Sequence, residues 1–355
     1  MRERFLAALF LFAALRVFSQ TAPTAQPDLP KDPREILAMA APLYDFNDAA
    51  LKPWHLKATY KLYDEKGKPS EQGTFEYWWA SPTVFRRSWT RPGATHTDWH
   101  TADGKYAYKA TGGPLEYFEY KVQFALLSPL PDSKELDPVK TRLDREIEPV
   151  FAGAKSPCIM IIPLMPQHGQ VQDVPMGLFP TYCFDIKLPA LRVGFSWGAL
   201  ATQFNHIVKV QGKYLAEEIL FSEGGRTILS ARVDTVEGLS LSDVALVPPP
   251  DAKTPGSDKT AQIAPAVMVG MLIKKQQPIY PQDAKDARAS GTVVLRAMIG
   301  MDGGIHDLHV ESAPWPSLAA SALWAVSHWQ YKPYLLNGEL VDVETTINVI
   351  YSLGN

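Results

Sequence analysis

The chain is poor in three things, and each shortage excludes a class of function. Its 355 residues include two cysteines, Cys158 and Cys183, and no Cys-x-x-Cys pair, so neither a zinc ribbon nor a thiol redox centre has support. Positive charge is not in excess: 35 Lys+Arg against 38 Asp+Glu leaves a formal net charge of −3, without the field that would hold nucleic acid. Apolar runs are short. Even Phe5–Phe18 is 14 residues, about 21 Å of helix against a hydrocarbon core of about 30 Å. A phosphate-gripping glycine loop, a dinucleotide fingerprint and a kinase motif set are also missing.

What is present is material for a folded, strand-rich protein. Hydrophobic residues make up 46% and charged residues 21%, enough for a sizeable core and too apolar for a disordered chain. Thirty prolines and 11% aromatics favour strands and loops over long helices. The length suits two domains.

Arg2 and Arg4, the apolar run from Phe5, and small residues Val17 and Ser19 before Gln20 have the layout of a secretory signal peptide. The expectation is cleavage after residue 19, a disordered N-terminus over 20–30, and localisation in the periplasm. An uncleaved, inner-membrane-anchored leader is the alternative. In an exported protein Cys158 and Cys183 are expected to pair as a disulfide; the alternative is two separate buried thiols. Residues 248–263, with Pro248-Pro249-Pro250 and a polar run after it, read as a linker of about 22 Å by coil statistics. That separates a block at 31–247 from one at 264–355.

Within the larger block, Asp32-Pro33 followed by Ile36, Leu37, Ala40 and Leu43 predicts a helix over about 33–45. Tyr120–Leu130 is a candidate helix crossing a sheet. Alternating runs at 55–63, 73–79, 84–90, 158–162, 182–187, 206–210, 214–222 and 227–236, with glycine turns between them, predict an antiparallel meander. The hairpin ending in Gly73–Trp79, then Ser81-Pro82-Thr83-Val84-Phe85-Arg86 and Asp103-Gly104-Lys105-Tyr106, resembles the LolA-like fold of periplasmic lipoprotein carriers. The resemblance implies a curved half-barrel with a few helices, and a lipid or other apolar ligand in this domain. On that reading some of Trp78, Trp79, Trp89, Trp99, Phe75, Phe85 and Tyr77 line a groove; on the simpler one, alternate rings fill the core.

The smaller block carries a more specific pattern. Gln277 precedes Tyr280-Pro281; a strand starts at Gly291; Asp302-Gly303 makes a turn; Leu318, Ala322, Ala325, Val326 and Trp329 share a helix face; Trp329-x-Tyr331-x-Pro333 follows; Asn337-Gly338 signals a hairpin; and Val341–Leu353 is a long alternating run. These markers, in this order, resemble the TonB/TolA C-terminal domain family. The resemblance implies a small αββαβ domain, making the whole an α+β protein. It also implies that the last strand takes up an extended peptide, the TonB box of an outer-membrane transporter or a segment of another envelope protein, by β-strand addition. Carried onto this chain, the expected contacts are Gln277, Tyr280, Pro281, Thr345, Thr346, Ile347, Asn348 and Val349. From residue 264 onward six basic residues face eight acidic ones, which together with the cleavable leader argues for a soluble partner-binding protein over an anchored energy transducer.

Enzyme motifs are weak. Gly194-Phe195-Ser196-Trp197-Gly198 fits the nucleophile-elbow pattern of a serine hydrolase, but the elbow needs a buried parallel strand before it and a helix after it. His96-Thr97-Asp98-Trp99-His100 would suit zinc on a helix; here it reads as a solvated, Trp-anchored hairpin, where residues four apart lie about 13 Å from each other. The expectation is a binding protein with no catalytic residues, metal or cofactor.

Overall fold

The computed structural model describes residues 29–131, 136–139, 141–146, 150–151, 154–164, 177–196, 200–242, 244–254 and 260–353. The expected signal peptide and nearly all of the N-terminal tail lie outside these residues, as do Trp197 and Gly198. No helix of the described residues is long and apolar enough to cross a membrane.

Helix α1 (Pro33–Ala40) starts where the Asp32 carboxylate accepts the Arg34 N–H at 2.8 Å, and it buries Ile36, Leu37 and Ala40. It ends earlier than its apolar spacing predicts. Pro42 lacks the N–H that a further α-turn requires, and Ala41–Leu43 tighten into a 3-10 turn. Helix α2 (Tyr117–Leu127) begins three residues ahead of the predicted start because Glu116 and Glu119 form a reciprocal capping box. Glu119 is fully buried and accepts a hydrogen bond from Tyr60 Oη at 2.5 Å.

The strands in front of and behind α2 are β1 (Trp54–Tyr63), β2 (Pro69–Ser81), β3 (Val84–Arg91), β4 (Ala94–His100), β5 (Tyr106–Thr111) and β6 (Thr141–Glu146). The two-residue pair β7 (Val150–Phe151) and β8 (Ala154–Lys155) follows. Then come β9 (Cys158–Pro163), β10 (Thr181–Phe184), β11 (Leu191–Ser196), β12 (Leu200–Val210), β13 (Lys213–Glu223) and β14 (Arg226–Gly238). Twelve of them form one open sheet in the order β5-β4-β3-β2-β1-β14-β13-β12-β11-β10-β9-β6. Its pairings are antiparallel, and its end strands do not meet, so it is not a closed barrel. A bulge between Lys57 and Ala58 breaks the β1–β14 register, a feature that bends and twists strands.

Alternation places Phe75, Tyr77 and Trp79 of β2 inward, where Trp54 stacks on Tyr77 at 5.2 Å and Phe75 meets Trp89 at 5.1 Å. Trp78 faces outward beneath Arg86 and stacks on His55 at 4.6 Å. One alternate set of the aromatic run thus packs the interior.

Cys158 and Cys183 are directly paired residues of β9 and β10 and form a disulfide. With a sequence separation of 25, reduction is expected to lower stability by about 3 kcal/mol. Urea denaturation with and without reductant measures this; coincident midpoints would mean that the bridge adds nothing.

The smaller block contains β15 (Ala261–Gln262), α3 (Pro265–Val269), β16 (Leu272–Lys274), α4 (Gln282–Asp286), β17 (Gly291–Ile299), β18 (Ile305–Ser312), α5 (Pro316–Ser327), β19 (Gln330–Tyr331), β20 (Leu335–Leu336), β21 (Glu339–Leu340) and β22 (Val343–Tyr351). Its sheet runs β15-β22-β17-β18, with α5 packed on β17 and β18. The predicted αββαβ order is therefore present as α4, β17, β18, α5 and β22. Asn337 (φ 54°) and Gly338 (φ 87°) turn the β20–β21 hairpin in the left-handed region. Gly303 (φ 82°) is required for a second reason: a Cβ there would stand 2.0 Å from the Tyr331 carbonyl oxygen. The segment read as a linker is held at both of its described ends, by main-chain bonds between Lys253 and Tyr108 and by the pairing of β15 with β22.

Candidate partner-binding edge

Strand β22 is paired along its whole length with β17, from Val343↔Ile299 to Tyr351↔Gly291, with no register break. Alternation sends Val343, Thr345, Ile347, Val349 and Tyr351 into the core and leaves Glu344, Thr346, Asn348 and Ile350 on the other face. The outer edge is partly taken. Ala261 N–H donates to the Asp342 carbonyl at 2.8 Å, Ile263 N–H to the Glu344 carbonyl at 3.1 Å, and the Thr345 hydroxyl to the Ile263 carbonyl at 2.7 Å.

These bonds fix the phase of the strand. Main-chain groups of even-numbered residues point to the outer edge, and those of odd-numbered residues point to β17. Beyond Glu344, Thr346, Asn348 and Ile350 therefore present N–H and C=O groups outward, with no main-chain partner among the described residues. Ile350 is 74% exposed. Of the five strand residues expected to touch a partner, Thr346 and Asn348 offer main-chain groups on this edge; Thr345, Ile347 and Val349 have buried side chains.

The other expected contacts lie in the stretch before α4. Tyr280 crosses the Tyr351 ring edge-on at 5.4 Å and donates its hydroxyl to the Ala289 carbonyl, so it stands at the C-terminal end of β22. Pro281 caps α4. Gln277 is exposed, and no described contact brings it to β22. The neighbouring main chain is pinned by Trp329 Nε1 on the Gln276 carbonyl at 2.8 Å and by the Ser321 hydroxyl on the Ile279 carbonyl.

Behind the edge lies a buried polar cluster that the sequence reading missed. His96 and Asp98 of β4 are 4% and 2% exposed, so this segment is extended as predicted but buried, contrary to the solvated hairpin expected. His96 Nε2 is 3.1 Å from Asp98 Oδ1, and Arg87 Nε donates to Asp98 Oδ2 at 2.9 Å. His96 Nδ1 lies 3.8 Å from Asp302 Oδ2 in the turn between β17 and β18. Asp302 also accepts from Tyr120 Oη of α2 and from the Gly304 N–H, and it pairs with His306 Nε2 at 3.0 Å. A second bridge, Lys121 Nζ to Asp307 Oδ1 at 2.8 Å, joins α2 to β18. Turn chemistry had accounted for Asp302-Gly303, and nothing local signals that its carboxylate meets residues some two hundred positions earlier.

Burial pulls the His96 pKa down, but Asp98 and Asp302 outweigh it and raise the pKa above the usual imidazole value. Burial pushes the other way at Asp98, where His96 and Arg87 win and hold the carboxyl well below its usual range. Asp302 is likewise held low, by His306 and His96 against burial. The cluster is thus a set of buried, mutually compensated charges.

Ser196 ends β11, which pairs antiparallel with both β10 and β12. The parallel strand that a nucleophile elbow requires is not what precedes it.

No curated protein matches the chain. Among solved structures, the chain is similar to a domain described as that of an outer membrane lipoprotein-sorting protein from Vibrio parahaemolyticus, with 10% identity, 58% of this chain and 92% of that chain covered, and a TM-score of 0.38. It is also similar to a LolA superfamily protein from Nitrosomonas europaea, with 6% identity, coverage of 61% and 97%, and a TM-score of 0.34. The TonB C-terminal domain of Pseudomonas aeruginosa matches 24% of this chain over 86% of its own length, at 27% identity and a TM-score of 0.21. The segment that holds Gln277, Tyr280, Pro281 and the last strand, residues 276–353, matches the family of the Gram-negative bacterial TonB protein C-terminal.

Proposed function

We propose that this chain is an exported envelope protein whose C-terminal block takes up an extended partner segment by β-strand addition at Thr346–Ile350. The supporting observation is the open outer edge of β22 inside the segment that matches the TonB C-terminal family. An added strand satisfies the outward groups of Thr346, Asn348 and Ile350, and side chains alternating along the partner supply selectivity. The partner class is an extended segment of an outer-membrane transporter or a comparable stretch of another envelope protein.

The phase of β22 selects the test. Proline at Thr346 or Asn348 removes an outward N–H and sets a ring on the docking edge, a place where edge strands tolerate proline. Proline at Ile347 would instead cut the ladder to β17. Calorimetric titration of the full chain with synthetic TonB-box peptides is therefore expected to show at least about tenfold weaker binding for Thr346→Pro and Asn348→Pro, with melting curves close to wild type. Unchanged affinity in both variants would move the docking site away from this edge.

A further inference from the structure

A half-enclosed cavity of about 380 Å3 opens where the two blocks meet, within the volume range of small-molecule sites. Phe118 of α2, Leu200 of β12, Leu308 of β18, and Leu323 and Trp324 of α5 supply apolar wall, with the exposed Ile279 beside them. Residues of both blocks are needed to form it. It is also separate from the aromatic interior of the large sheet, since Phe75, Tyr77, Trp79 and Trp89 pack against one another there.

The chemistry of the wall narrows the occupant. Of its four lining serines, Ser321 donates to the Ile279 carbonyl and Ser327 to the Trp324 carbonyl at 2.8 Å, while the buried Ser317 hydroxyl has no partner among the described residues. Among the described lining residues the one formal charge is Glu223, and it is ion-paired with Arg226 at 3.7 Å. Such a wall rewards hydrocarbon and, among its described residues, offers no free cation to an anionic head group. Because the cavity is open on one side, a polar end can stay in water.

We propose that this junction cavity binds the alkyl chain of an amphiphile with an uncharged head group. Decyl, undecyl and dodecyl maltoside, each below its micelle concentration, are the probes, titrated into the full chain by calorimetry. Each added methylene is expected to tighten binding about fourfold. Laurate, as its anion, is expected to bind about tenfold or more weakly than dodecyl maltoside because its carboxylate finds no free cation on the described wall. Ala320→Trp places a large ring on the cavity wall and is expected to abolish binding, whereas Ala320→Ser leaves it intact. Photolabelling of the wild-type chain with an uncharged alkyl diazirine gives a readout that needs no variant: labels are expected on the segments carrying Phe118 and Trp324. Labelling confined to other segments, wild-type binding by a folded Ala320→Trp, or no dependence on chain length would overturn the site. Laurate binding as tightly as the maltoside would overturn the uncharged head.

Discussion

Replacing Asp302 by alanine is expected to destabilise the chain by about 3–5 kcal/mol, the cost of breaking a buried ion-paired cluster by removing one member. The size follows from how much Asp302 holds. Its carboxylate serves Tyr120, His306 and the Gly304 N–H and faces His96, and it is itself buried. Alanine leaves the His306 imidazole and the buried Tyr120 phenol without their acceptor and removes the charge that faces His96, which keeps Asp98. Asp302→Asn keeps the shape and an acceptor oxygen but loses the charge, and is expected to fall between. Urea denaturation followed by tryptophan fluorescence measures both; an alanine variant within about 0.5 kcal/mol of wild type would show that the cluster is energetically idle.

The same cluster gives stability a definite pH dependence. Asp98 and Asp302 have lowered folded-state pKa values, so their contribution is present above the unfolded carboxylate value, about 4, and is lost as pH falls below it. His96 has a raised value, so its contribution is fully present below about pH 6.5 and is lost as pH rises through the folded value. Asp342, raised by burial, faces the cluster from just before β22 and opposes the other two carboxylates. The wild type is therefore expected to be most stable between about pH 4.5 and 6.5, with Asp302→Ala flattening both flanks. Urea midpoints across the pH range would expose a contrary profile, such as a maximum well above neutrality.

How much of this was legible depends on the range of the interaction involved. Local chemistry was readable: Asp32-Pro33 starts α1, Asn337-Gly338 turns a hairpin, and the alternation of Val343–Tyr351 makes the last strand. Errors at element ends had local causes, Pro42 cutting α1 short and the Glu116–Glu119 box starting α2 early. The His96–Asp302 contact was illegible because each residue has an adequate local role, one in an alternating strand and one in a turn. Their meeting depends on the packing of β4 and α2 against the β17–β18 turn. The candidate docking edge was half legible. Alternation says which side chains face the core, but the main-chain bonds from Ala261 and Ile263 are what fix which residues present N–H groups outward. Composition hid those bonds, because a Pro- and Gly-rich stretch reads as flexible even where its last residues form a strand.

Ala261→Pro combined with Ile263→Pro is expected to raise affinity for an extended peptide by roughly fivefold to 150-fold, the equivalent of two hydrogen bonds at about 0.5–1.5 kcal/mol each. Strand β15 occupies the outer edge of β22 at Val343 and Glu344, directly before the open stretch proposed for docking. Being part of the same chain, it competes at a high effective concentration, so a partner reaches only Thr346–Ile350 unless it displaces β15. The two prolines remove the N–H groups that bond Asp342 and Glu344 and return those carbonyls to the partner. Gln262 is the internal control. Its N–H points away from β22, so Gln262→Pro leaves both bonds in place and is expected to bind as wild type. If the wild type binds peptide and the double variant binds no tighter, β15 is a structural brace alone. If the double variant binds more weakly, residues 261–263 belong to the binding surface. A wild type that binds nothing would count against docking at β22 itself, so the competition and the edge can fail separately.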